Sequence, residues 1–212
     1  TTLPSGIVQQ LSDRVRFGLM VFNNPAEGGH LAKIPNGSGG WTTRTAVLGS
    51  SQADLIAAME SSETNPLTNT PIAETLYEAL CYFQAKPSAY NSGVDYGTMD
   101  PVQNSCQKHF ILLVTDGESN NNNNLPGLST YPTLNGYTDS IFNVTTWENM
   151  IPANDRASNS NSTCSSMSYG SSTNSEKVEA VAYYLHNTDL RSSVYGNDKD
   201  GSQNITLFNV YA

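Results

Sequence analysis

The most continuous apolar run in the chain covers residues 109–115, His-Phe-Ile-Leu-Leu-Val-Thr, and ends abruptly at Asp116-Gly117-Glu118. A run of this kind, without polar alternation, predicts a central parallel strand buried on both faces. Residues 16–23, Arg-Phe-Gly-Leu-Met-Val-Phe-Asn, read as a second buried strand stopped by the turn Asn23-Asn24-Pro25. Residues 30–34 offer a short strand, and residues 205–211 a last one, entered through the turn-rich stretch 196–201. Helical spacing fills the intervals. Ile7, Val8, Leu11 and Val15 predict a helix over 6–15, and Ala53, Leu55, Ile56, Ala58 and Met59 one over 51–61, capped by Ser50 or Ser51. The strongest signal lies at 71–83, where Ile72, Thr75, Leu76, Ala79, Leu80 and Phe83 recur at three and four residues. There Thr70 is placed to cap the helix and Pro71 to occupy its first turn. Val178, Val181, Ala182, Tyr184 and Leu185 predict a further helix over 176–186. Helices and strands therefore alternate, which predicts an α/β fold: an open, mainly parallel sheet with helices on both faces.

Residues 119–175 break this rhythm. They are dominated by Asn, Ser, Thr, Gly and Pro, with five consecutive asparagines at 120–124, and are too poor in apolar residues to form a second core. A long polar insertion within one domain spanning 1–212 accounts for them, with one short helix over 141–150.

Composition narrows the partners. Nineteen acidic residues against ten basic ones give a formal charge of −9, and the Lys and Arg residues gather into no basic stripe, which argues against nucleic acid. The same balance modestly raises the local concentration of divalent cations. No apolar run is long enough to span a bilayer. Charged residues make up only 14% of the chain, while Asn, Ser, Thr, Gly and Tyr abound, a neutral-polar chemistry typical of extracellular and cell-surface chains. Thr1-Thr2-Leu3-Pro4 lacks the charged and apolar regions of a signal peptide, so the N-terminus reads as a mature end or an internal cut. Asn36, Asn143, Asn161 and Asn204 begin sequons, a frequency that so Asn-rich a chain reaches by chance. Cys81, Cys106 and Cys164 make no zinc-type cluster; one disulfide with a spare thiol and three thiols both remain open.

Two positions hold candidate chemistry. Asp116 falls at the carboxyl end of the most buried predicted strand, where ligands bind in open parallel sheets and where an isolated carboxylate needs water, a partner or a cation. Thr70, at the head of the strongest helix, offers a neutral oxygen suited to a hard cation such as Mg²⁺. The bland alternatives are an Asp-Gly turn, with Gly117 easing the bend, and a simple helix cap.

Taken together, Thr70-Pro71-Ile72-Ala73-Glu74-Thr75-Leu76 and Ile111-Leu112-Leu113-Val114-Thr115-Asp116-Gly117-Glu118 resemble the second and third parts of the metal ion-dependent adhesion site of von Willebrand factor A domains. The finer pattern is similar to the tip-associated adhesins of type IV pili (PilY/PilC type). It is carried by residues 16–22, Thr70 onward to Phe83, Cys106-Gln107-Lys108-His109-Phe110, Val181-Ala182-Tyr183-Tyr184, Asp189-Leu190-Arg191, and Gln203-Asn204-Ile205-Thr206 up to Tyr211. The resemblance implies a partial domain of that family with a Rossmann-like sheet. It implies one Mg²⁺ or Ca²⁺ held by Thr70 and Asp116. Glu118 and Ser119, by their place beside Asp116, are expected to tune the site or bridge to metal-bound water. The implied partners are a protein or surface ligand offering a carboxylate, and the minor pilins of a pilus tip, reached through the periplasm.

One departure is large. The family's first metal motif, Asp-x-Ser-x-Ser after the opening strand, does not occur here, and the chain starts within the helix expected to follow it. That strand is supplied by a longer chain or by another polypeptide, or else the site is degenerate; the family's closing strand and helix are also expected beyond Ala212. The competing function is a metal-free assembly module of a cell-surface filament, its sheet completed by a second chain. An enzyme is the weakest reading: His30, His109 and His186 stand on separate elements, and no nucleophile elbow or His-Glu-x-x-His motif occurs. Asp198, Asp200 and Gly201 read as a turn, because the first position of a calcium loop there would be Gly196.

Overall fold

Strand formation is clearest where the apolar run predicts it. The computed structural model describes residues 6–11, 13–23, 27–35, 41–43, 52–60, 69–115, 119–120, 124–126, 174–193 and 198–211. In chain order these form α1 (Ile7–Leu11), β1 (Met20–Phe22), β2 (Gly29–Leu31), β3 (Lys33–Pro35), β4 (Trp41–Thr43), α2 (Gln52–Met59), α3 (Ile72–Phe83), a 3₁₀ turn (Tyr96–Met99), β5 (His109–Thr115), α4 (Asn174–Asn187) and β6 (Ile205–Tyr211). The fold is mixed α/β. Among the described residues β5 and β6 pair in parallel along their whole length, from His109 opposite Ile205 to Thr115 opposite Tyr211. The other pairings are antiparallel, β1 with β2 and β3 with β4.

The core forms around α3. Leu76, Tyr77, Leu80 and Cys81 are buried together with Val181, Tyr184 and Leu185 of α4. Met20 and Phe22 of β1, and Ile111, Leu113 and Leu207 of the parallel pair, pack against this cluster. The intervening residues of the first strand region face the other way: Leu19 and Val21 pack on Ala32 and Ala58, and Leu19 with Phe17 packs on Val8 and Leu55. Around β1, helices therefore lie on both faces, α3 on one and α1 with α2 on the other.

The parallel pair differs. β5, expected to be buried on both faces, is buried on one. Phe110, Leu112 and Val114 are 58–60% exposed, as are Phe208 (54%) and Val210 (47%) beside them. The period-2 alternation sends Ile111, Leu113 and Leu207 into the core and these five outward.

Several boundaries moved by a few residues. The first helix ends at Leu11, where the Arg14 and Val15 amides both donate to the Leu11 carbonyl and Val15 turns outward. Residues 30–34 divide into β2 and β3 because the partner changes: β2 pairs with β1, whose register the Ala32 amide extends to Leu19 O at 2.8 Å, and β3 pairs with β4. At its far end α3 closes with Ala85 at φ 52°, a left-handed position usually filled by glycine, and the Lys86 amide returns to Cys81 O at 3.0 Å.

The amino ends of β5 and β6 are tied by a buried polar group. His109 Nε2 meets Gln203 Oε1 at 2.9 Å, and the Gln203 and Arg191 amides both donate to Asp189 Oδ1. Arg191, 1% exposed, donates from Nε to Phe83 O at 2.6 Å and pairs with Asp100. Each buried charge is thus met by a partner.

Candidate metal-binding site

The segment that resumes after β5 meets the residue that precedes Pro71 and α3. Thr115, the last residue of β5, is buried; Asp116, Gly117 and Glu118 lie outside the described residues, and the chain resumes at Ser119 and Asn120. Those two residues are joined to Thr70. The Asn120 amide donates to Thr70 O at 3.0 Å, the Thr70 amide donates to Asn120 Oδ1 at 2.9 Å, and Ser119 Oγ lies 3.4 Å from Thr70 O. Asp116 follows Thr115 directly in the chain, and two residues, Gly117 and Glu118, separate it from Ser119, a span of about 11 Å at most.

Thr70 itself differs from the expected cap. The cap position is held by Pro71 (φ −77°, ψ 65°), and α3 begins at Ile72, whose amide donates to Thr70 O at 2.8 Å. The proline ring fixes φ at the junction and sets Thr70 one residue outside the helix. Ser119, expected to bridge to metal-bound water, directs its hydroxyl at the Thr70 carbonyl.

A threonine hydroxyl and an aspartate carboxylate are hard oxygen donors, the chemistry Mg²⁺ and Ca²⁺ select. Among the described residues no group of three or more His, Cys, Asp or Glu side chains is arranged to hold a metal ion. Further donors to an ion here would therefore be water, a partner or residues outside that set. Searches of protein-family models, curated proteins and solved structures return no match. The fit of residues to ion thus rests on this chain's own geometry and chemistry.

Sequence reasoning missed two carboxylates behind the site. Glu74 and Glu78, one turn apart on α3, are both fully buried. Glu78 accepts from Tyr96 Oη (2.5 Å), the Ala89 amide (3.0 Å), Asn91 Nδ2 (3.2 Å) and Ser88 Oγ, so one side chain organises the loop after α3. Glu74 accepts main-chain N–H groups from Gly28 and Asn124, both at 2.8 Å. Burial pushes the Glu74 carboxyl above its usual range, and the two amides pull it back. The available signal was the apolar character of α3 on nearly every side: a helix buried all round takes its glutamates inside with it.

The remaining candidates resolve simply. Asp198 and Asp200 are exposed in a turn between α4 and β6, with Gly201 at φ 79° and the Lys199 amide donating to Arg191 O. His30 Nδ1 meets Asn23 Oδ1 at 2.5 Å, His109 is buried against Gln203, and His186 is exposed. Cys81 is buried in α3 and Cys106 is exposed, both as thiols, while Cys164 lies outside the described residues. No described helix is long and apolar enough to cross a membrane.

Proposed function

We propose that this chain is a cation-dependent binding module of the von Willebrand factor A type, working at the tip of a type IV pilus or in pilus biogenesis on the cell surface. The observation that supports the reading is the junction of Thr70 with Ser119 and Asn120, residues three and four beyond Asp116 in the chain. Thr70 supplies a neutral oxygen and Asp116 a charged one. Bound there, Mg²⁺ or Ca²⁺ gives a carboxylate on a partner an electrophilic point of attachment. The chain's own residues orient that point: Pro71 fixes the approach to α3, and the Thr70–Asn120 bonds hold the loop beyond β5 beside it. Binding of the chain to immobilised minor pilins is expected to disappear on adding EDTA and in Asp116→Ala. Binding that survives both treatments contradicts the mechanism.

A second reading has its own observation. The exposed face of β5 and β6, with Phe110 and Phe208 ring centroids 6.2 Å apart, suits a metal-free assembly module whose sheet is covered or completed by another chain. Parallel strands are ordinarily buried on both sides. Assembly that is indifferent to EDTA but abolished by polar substitutions on this face favours that reading.

A further inference from the structure

Glu74 stands in the first turn of α3 with no exposed surface, a costly position for a carboxylate unless its oxygens are used. Both are used, on different segments. Oε2 takes the Gly28 amide of the turn before β2, and Oε1 takes the Asn124 amide of the segment after β5. Each donor is fixed by further contacts. Gly28 has φ +72°, and a Cβ there would meet the Tyr90 ring at 2.4 Å, so only glycine lets this amide reach the carboxylate beneath that ring. Asn124 donates from Nδ2 to Glu27 and accepts from Tyr90 Oη at 3.2 Å, and the adjacent Leu125 packs on the main core.

We propose that Glu74 is a positioning residue for the loop beyond β5, its carboxylate clasping the turn before β2 and the segment at Asn124 to the head of α3. The asparagine run is thereby held at both ends, by Thr70 at Asn120 and by Glu74 at Asn124. A polar segment with few apolar residues has little burial to hold it, so hydrogen bonds to a buried carboxyl carry the attachment at Asn124. The clasp is read from described contacts alone; its effect on cation affinity rests on the function proposed above.

The test uses the full chain without divalent ions, measuring amide hydrogen exchange in wild type, Glu74→Gln and Glu74→Asp. Glu74→Gln points an NH₂ at one of two N–H donors, and Glu74→Asp is one methylene too short to reach both. Exchange is expected to accelerate at Gly28 and Asn124 while the central amides of α3 stay protected, the aspartate variant retaining one contact if the glutamine variant fails to fold. Mg²⁺ alone is then titrated. Glu74→Gln is expected to weaken it by ~10-fold or more, the scale of lost outer-shell support, with Glu74→Asp in between. Unchanged exchange at Gly28 and Asn124 overturns the clasp; accelerated exchange with unchanged Mg²⁺ affinity overturns the positioning role. A wild type that takes up no Mg²⁺ overturns the cation reading and any effect on affinity, while exchange still decides the clasp.

Discussion

His109 opens β5 as a strand residue and closes a buried network by donating from Nε2 to Gln203 Oε1, with its ring 5.2 Å from that of Phe83. Burial holds its pKa below the usual 6.5. The unfolded chain then takes up a proton near pH 6.5 that the folded chain refuses. The stability this histidine contributes is therefore complete above pH 6.5 and is lost as pH falls below it through the lower folded value. The urea midpoint is expected to drop between pH 7.5 and 5.5, and His109→Gln to flatten that slope; an identical slope in the variant contradicts the assignment. Glu74 acts in the opposite sense, since its raised pKa makes the folded state the better proton acceptor above pH 4.5. Neither role was legible in the sequence. A histidine at the start of an apolar run and a glutamate inside a helical stripe gain their chemistry from partners remote along the chain, Gln203 for one and Gly28 with Asn124 for the other.

Among elements, legibility followed the strength of the local pattern. The limits of β5 and β6 match the reading from sequence, because runs rich in β-branched, aromatic and other apolar residues leave no competing period. α3 begins one residue later than expected, since Pro71 itself takes the cap position. The short strands were harder to read: only the choice of partner, β1 for β2 and β4 for β3, separates β2 from β3. The unalternated apolar run in β5 implied two covered faces and delivered one, because periodicity records the capacity for burial and not the presence of a covering layer. That bare face makes a prediction. The full chain is expected to enhance ANS fluorescence under native conditions, and Leu112→Asn with Phe208→Asn to reduce it. Because both side chains are more than half exposed, the double substitution is expected to cost no more than about 1 kcal/mol of unfolding free energy. A loss of several kcal/mol would mean the face is covered within the chain.

For the molecule as a whole, the α/β class was legible from alternating periods, while the order of strands was not, since pairing is a choice among distant segments. Of the candidate site, Thr70 and Asp116 stood out in the sequence by position; the structure joins Thr70 to Ser119 and Asn120, and Asp116 lies outside the described residues. The Asn-rich stretch gave no sign that Asn120 and Asn124 are its anchor points, because identical neighbours carry no local distinction. With nineteen acidic residues and few cations, the surface favours divalent ions in general, so only a site-specific loss separates coordination from a diffuse atmosphere. Calorimetric titration of Mg²⁺ into the full chain, beside Asp116→Ala and Thr70→Val, makes that separation. The account predicts saturable binding in wild type, its loss in Asp116→Ala and a weakening of ~10-fold or more in Thr70→Val; no saturable heat in wild type, or equal affinity in all three proteins, would contradict it.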